Sequence, residues 1–251
     1  MLTIHAHQME AFRAARQTAF EAAILEHVAR FFPNDLALLG LDRMCAVIRD
    51  ATARAERFGL KTQGEVRRYI DIALTLGAEW AADPLHPFAA SVAAEGLEPG
   101  PAFQRLYEEA IDHVRFVSGD EGQYAMRALL KTRALAFEDT CCPDADGAEA
   151  TLTRLRSLWP RKLRLLPARS QARFLALAEE RARAAGFVDP GPRHLYTVLM
   201  FVAGAGFARD PALPWASAAL TAPGDPVRAL HDAGMRAIDD FLGLLPSRTE
   251  A

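Results

Sequence analysis

Apolar side chains recur at intervals of three and four along nearly every segment of this chain, the period of an amphipathic α-helix. From Met9 and Phe12 through Ala19, Ala23, Ile24 and Val28 to Phe31, the spacing predicts a first helix ending near Phe32. Pro33-Asn34-Asp35 breaks it. A second helix is predicted from about Asp35 to Phe58, interrupted at Gly40, with Gly59 as a left-handed C-terminal cap. Thr62-Gln63-Gly64-Glu65 is a capping box that opens a third helix, because Thr62 and Glu65 can each satisfy a free backbone amide. Asp83-Pro84, after Trp80, predicts the end of that helix and the start of a short one running through Ala94. Leu97-Glu98-Pro99-Gly100 reads as a loop, Pro101 to about Val117 as a helix, and Glu121 to about Phe137 as another. A last helix runs from about Pro226 to Leu245. Alternating runs of β-branched residues are absent, so the predicted fold class is all-α.

The same pattern is written twice. Shifted by 127 positions without a gap, residues 20–115 fall on residues 147–242. Phe32-Pro33 lands on Trp159-Pro160, Gly59 on Gly186, Tyr69 on Tyr196 and Gly77 on Gly204. Asp83-Pro84-x-x-Pro87-Phe88 lands on Asp210-Pro211-x-x-Pro214-Trp215. Where the first copy opens its third helix with the capping box, the second uses Asp189-Pro190, a different N-cap for the same task. The expected architecture is therefore two tandem-duplicated helical bundles related by pseudo-twofold symmetry. Copy one spans residues 1–117, a connecting helix and loop 118–146, and copy two 147–251. The matched positions are mainly Gly, Pro, Asp, aromatic and apolar, types that fix turns and cores rather than chemistry.

Composition narrows the function classes. A net charge of −3 argues against a general nucleic-acid binder. No apolar run approaches the roughly 20 residues needed to cross a bilayer, and the N-terminus lacks the basic and apolar regions of a signal peptide. Three cysteines, with Cys141 and Cys142 adjacent, do not form a disulfide framework. A cytoplasmic protein with reduced thiols is expected.

Candidate chemistry is sparse. His5-x-His7 has metal-ligand types at a chain terminus, but no Glu-x-x-His pair recurs in both copies, so no metal site is predicted. Phosphate-binding, dinucleotide-binding and nucleophile-elbow glycine motifs are all missing, and no catalytic residue or cofactor is predicted. Tyr69 with Tyr196, and Asp83 with Asp210, are the repeat-matched polar residues, and all four read as structural. Two features point to a protein partner. Phe88 and Trp215 are either wedges against their own bundle or exposed aromatic anchors. Copy two also carries Arg154, Arg156, Arg161, Lys162, Arg164, Arg169 and Arg173 where copy one has His27, Ala29, Asn34, Asp35, Ala37, Asp42 and Ala46. That basic run is either a solvated face or a docking surface, with Arg154, Arg161, Lys162 and Arg164 as the candidates.

Several stretches resemble a known group. They are Met1-Leu2-Thr3-Ile4-x-x-x-Gln8-Met9-x-Ala11-Phe12, Phe31-Phe32-Pro33, Gly59-Leu60-x-Thr62-x-x-x-Val66-x-x-Tyr69, and Leu76-Gly77-x-x-Trp80-x-x-Asp83-Pro84-x-x-Pro87-Phe88. The group is a set of mostly uncharacterised helical proteins encoded beside type VI secretion spike and effector genes in Proteobacteria. The match covers copy one and, in copy two, the Asp210 to Trp215 motif; Phe88 departs from the commoner tryptophan. The resemblance implies a non-catalytic protein-binding role, as immunity protein or effector chaperone. The alternatives are an adaptor that loads an effector onto the spike, and a helical enzyme with a site between the two halves. The last would show a cluster of titratable residues with shifted pKa values at the pseudo-twofold axis.

Overall fold

In a computed structural model of the chain, backbone is described for residues 6–141 and 147–245, and side chains for the same residues apart from 6–14 and 17. His5 and Cys142 lie outside the described residues, as does the side chain of His7. The fold is all-α. Thirteen helices run in order among the described residues: α1 (Ala6–Phe31), α2 (Pro33–Arg57), α3 (Gln63–Leu76), α4 (Pro87–Ala93), α5 (Pro99–Ser118), α6 (Gln123–Arg133), α7 (Phe137–Thr140), α8 (Ala148–Leu158), α9 (Pro160–Arg164), α10 (Ala168–Ala184), α11 (Pro190–Ala203), α12 (Pro214–Leu220) and α13 (Pro226–Gly243). No helix among the described residues is long and apolar enough to cross a membrane.

Local chemistry explains the boundaries. Thr62 and Glu65 form the expected capping box at α3, the Glu65 amide donating to Thr62 Oγ1 (3.2 Å) and the Thr62 amide to Glu65 Oε2 (2.9 Å). Gly40 breaks the geometry of α2 with φ 72° and ψ 168°, as its position in the pattern predicts. Asp225 caps α13, accepting from the amides of Val227 (2.9 Å) and Arg228 (3.2 Å).

Other expectations are corrected. Asp189 makes no side-chain cap bond at α11. Helix α5 starts at Pro99, inside the expected loop, because proline donates no amide and fits the first turn. The helix expected over 121–137 ends at Arg133, and the separate α7 begins where Asp139 accepts the Ala136 amide (3.4 Å). Helix α4 begins at Pro87 rather than Pro84. Phe31, expected on the apolar face of α1, is 58% exposed, with the Arg30 guanidinium 5.2 Å from its ring centre.

Helix limits repeat at the 127-residue interval: α3 and α11 match at both ends, α4 and α12 match at both ends, and α5 and α13 match at their starts. The break between α9 and α10 ends at Pro167, 127 positions after the Gly40 kink. Two hydrophobic cores result. One packs Ile24, Met44, Ile48, Ile70, Trp80 and Phe103; the other packs Leu155, Phe174, Leu195, Phe201, Phe207 and Leu230. The cores interlock. Leu85 is fully buried in the second core, whereas Ala212, 127 positions later, packs against the first.

Candidate functional site

The helix ends where the halves meet are built around Asp83 and Asp210. Asp83 Oδ2 accepts the Ala205 amide from the other half (2.7 Å), and its Oδ1 accepts the Leu85 amide (2.8 Å). Asp210 does the same in reverse, with Oδ2 on the Ala78 amide (2.7 Å) and Oδ1 on the Ala212 amide (2.8 Å). Neither aspartate caps the helix after it. Each instead closes its own turn with one oxygen and caps the other half's chain with the second. Burial raises both carboxyl pKa values, and the donated amides pull against that rise.

The approach is close enough to require glycine. Gly77 (φ 95°) and Gly204 (φ 96°) end α3 and α11 in a left-handed backbone region. A Cβ on Gly77 would lie 3.3 Å from Asp210 Oδ2, and one on Gly204 would lie 3.3 Å from the Leu76 carbonyl oxygen. Glu79 adds an ion pair across the halves with Arg181 (2.7 Å) and a longer one with Arg209 (3.2 Å).

Beside this junction opens a cavity of about 1100 Å³, walled by segments of both halves. Its apolar wall includes Leu39, Val114, Val117, Leu199, Trp215 and Ala219. A rim along α13 alternates in charge, Asp225, Arg228, Asp232, Arg236 and Asp240, at the three- and four-residue spacing of one helix face. Among the buried residues of the lining are three polar ones, His86, His113 and Lys162, which are 3%, 8% and 6% exposed.

Lys162 is held from behind. Its Nζ donates to the carbonyls of Phe201 (2.6 Å) and Val202 (3.4 Å), the C-terminal turn of α11, where a cation suits the helix dipole. It also lies 4.8 Å from the Trp159 ring centre and 5.3 Å from that of Phe201. Burial lowers its pKa to about 8 against the opposing pull of the Asp83 carboxylate. His86 Nδ1 sits 3.2 Å from the Trp80 carbonyl oxygen, which only accepts, so Nδ1 carries the proton and Nε2 is left as an acceptor. The His113 ring stands edge-on to His86, with centroids 5.2 Å apart, and 5.3 Å from Phe88. Its nitrogens have no hydrogen-bond partner among the described residues. Burial lowers both histidine pKa values to about 3, helped at His86 by the Lys162 charge and at His113 by His86 and then Lys162, so both rings are neutral at physiological pH.

Compared with protein-family models, curated proteins and solved structures, the chain matches none.

The expected basic run is split: Arg156, Arg164, Arg169 and Arg173 are exposed, and the other three are buried or half-buried. Lys162 is buried in the cavity lining. Arg161 turns inward, donating to the Phe116 carbonyl (3.3 Å) and Tyr124 hydroxyl (3.1 Å), with its guanidinium 3.9 Å from the Tyr124 ring centre. Arg154 is half-buried and reaches the Asp139 carbonyl (3.5 Å), so of the four docking candidates Arg164 alone is exposed. Phe88 packs half-buried against the two histidines, and Trp215 lines the cavity. Tyr69 and Tyr196 are buried among aromatic rings, Trp80 at 5.5 Å and Phe207 at 4.9 Å respectively. Among the described residues no group of three or more His, Cys, Asp or Glu is placed to hold a metal.

Sequence reasoning passed over His86 and His113. A signal for His113 existed: Phe103, Leu106, Ala110, His113 and Val117 share one buried helical stripe, and only the histidine is polar. A second signal was the repeat, which sets Lys162 opposite Asp35 and His113 opposite Asp240, all four on the cavity lining.

Proposed function

We propose that this chain is a non-catalytic, protein-binding accessory protein of a type VI secretion or toxin locus, acting as an immunity protein or effector chaperone by covering a surface of its partner. The observation that supports binding is the open, apolar-walled groove between the halves with its alternating charged rim on α13. An amphipathic helix of a partner fits such a groove by laying apolar residues against Trp215 and its neighbours, while its own charges answer the rim. Leu38 on the same lining is 40% exposed, and Leu41 beside it is 59% exposed, which extends the apolar surface outward. The locus assignment rests on the sequence resemblance alone.

The two halves are further inferred to be products of tandem duplication related by a pseudo-twofold axis. Matching helix limits and the exchange of Asp83 and Asp210 support this, since reciprocal contacts are what a twofold interface produces. On that reading the groove straddles the axis.

The test is capture of partners by the tagged chain from its own cells. One neighbouring toxin at equal stoichiometry supports immunity or chaperoning, and a spike protein recovered with it supports the adaptor role. Ala218→Trp, at an exposed position on the groove lining, should abolish recovery, whereas Arg164→Glu should not. Unchanged recovery with Ala218→Trp removes the groove from the reading.

A second reading takes the same cavity as a small-ligand site. It is favoured by His86, His113 and Lys162, buried polar groups that converge on an apolar cavity with strongly shifted pKa values. This is the titratable cluster between the halves that an enzyme would require, and catalysis there would be tested by turnover once a ligand is in hand.

A further inference from the structure

We propose that Lys162 and His113, with His86 packed behind them, form the head-group site for a carboxylate carried on an apolar chain, a molecule of the fatty-acid type. The proposal rests on the small-ligand reading of the cavity and supplies its ligand class.

Three observations carry it. First, the buried polar lining offers hydrogen bonds that nothing in the chain takes up. His113 is 92% buried by its 8% exposure, lines the cavity, and has no hydrogen-bond partner among the described residues. It differs from His194, whose two nitrogens are sealed away from solvent as well as unpaired. A neutral imidazole donates through one nitrogen, so His113 brings an N–H to the cavity without a charge. Because the His113 nitrogens are not sealed off, a ligand in the cavity can pair the one that donates.

Second, the charge beside that donor is positive. Lys162 has three ammonium protons and two carbonyl partners, one of them at 3.4 Å, so a donor remains for a ligand. Asp83, outside the lining, offsets part of that charge, but both its oxygens already accept backbone amides, and the carboxylates of the lining leave Lys162 free to meet an anion. Asp210 is buried, but both its oxygens already accept backbone amides. Asp35 and Asp232 are half-buried, and Asp225 and Asp240 are exposed at the rim. An anion placed deep is therefore drawn to Lys162, and a charge-assisted bond in a poorly hydrated site is among the stronger polar contacts.

Third, the rest of the cavity suits hydrocarbon. Beyond the polar residues the wall is aliphatic and aromatic, with small alanines of α12 and α13 leaving room between helices. A chain of methylenes gains by leaving water for such a wall, in proportion to the area it buries.

Calorimetric titration of the full chain with dodecanoate, dodecanol and dodecylamine, each below its micelle concentration, tests this. Dodecanoate is expected to bind one per chain and about tenfold or more tighter than dodecanol, with dodecylamine weakest. His113→Phe keeps the ring that packs on Phe88 and His86 and removes both nitrogens; it should weaken dodecanoate about tenfold and leave dodecanol unchanged. Lys162→Met should act the same way, with a thermal melt to confirm folding. Equal affinity for all three probes overturns the carboxylate assignment while the small-ligand reading stands. Binding of none overturns both.

Discussion

Asp83 and Asp210 each satisfy two buried amides, and a side chain without oxygens would leave both amides bare. An unpaired buried donor costs about 1–3 kcal/mol. Asp83→Ala and Asp210→Ala should each destabilise the fold by roughly 2–5 kcal/mol on that basis, and by similar amounts, measured by urea denaturation. Asparagine in either place keeps one acceptor but turns an amide donor toward a backbone N–H, so it should not rescue fully. The histidines set the acid limb of stability. Their folded pKa values, about 3, lie below the unfolded value of 6.5, so the unfolded chain binds more protons between those limits. The histidine contribution is then full above pH 6.5 and is lost as pH drops toward 3. Asp83 and Asp210, with raised pKa values, bind their protons earlier in the folded state and oppose this fall. Melting temperature should fall steadily from pH 6.5 to 4.5, and His113→Phe should flatten that slope; an unchanged slope would mean that His113 is protonated without resistance.

At the scale of elements, most of the helices were legible in the sequence because their causes are local. The α3 capping box, the Gly40 break and the Pro226 start depend on residues within a turn of one another. What was not legible was long-range. Asp83 beside a proline has every local mark of a helix cap, and only the backbone of Ala205, 122 positions away, explains its actual use. The place of Lys162 within the basic run was hidden for the same reason. A charged residue near the end of a short helix looks solvated until the C-terminus of another helix is brought against it, as α11 is against Lys162. This separates two substitutions that the sequence treats alike. Lys162→Glu sets a carboxylate against the Phe201 and Val202 carbonyls in a buried place and should cost several kcal/mol. Arg164→Glu changes an exposed residue two positions on and should stay within about 0.5 kcal/mol. Equal losses in thermal melts would show that Lys162 lies at the surface.

At the scale of the whole molecule, the question is whether two cores make one folding unit. Each half has enough apolar residues for its own core, and a simple tandem array of such halves would melt in two steps. The junction argues otherwise. Leu85 from the first half completes the second core, Ala212 packs against the first, and each half lends an aspartate to the other's backbone. Unfolding one half would strip the other of a buried side chain, a cap and the Glu79 to Arg181 ion pair together. Differential scanning calorimetry should therefore show a single transition. Asp83→Ala and Asp210→Ala should lower that one transition, each by roughly 5–15 °C for a chain of this size. Two resolved transitions in the parent chain would show that the halves are stable apart. The groove would then be a gap between independent domains, free to change width, rather than a cavity held at fixed dimensions. A rigid cavity binds with less ordering cost than a hinged one, so calorimetry bears directly on whether either occupant proposed for the groove meets a preformed site.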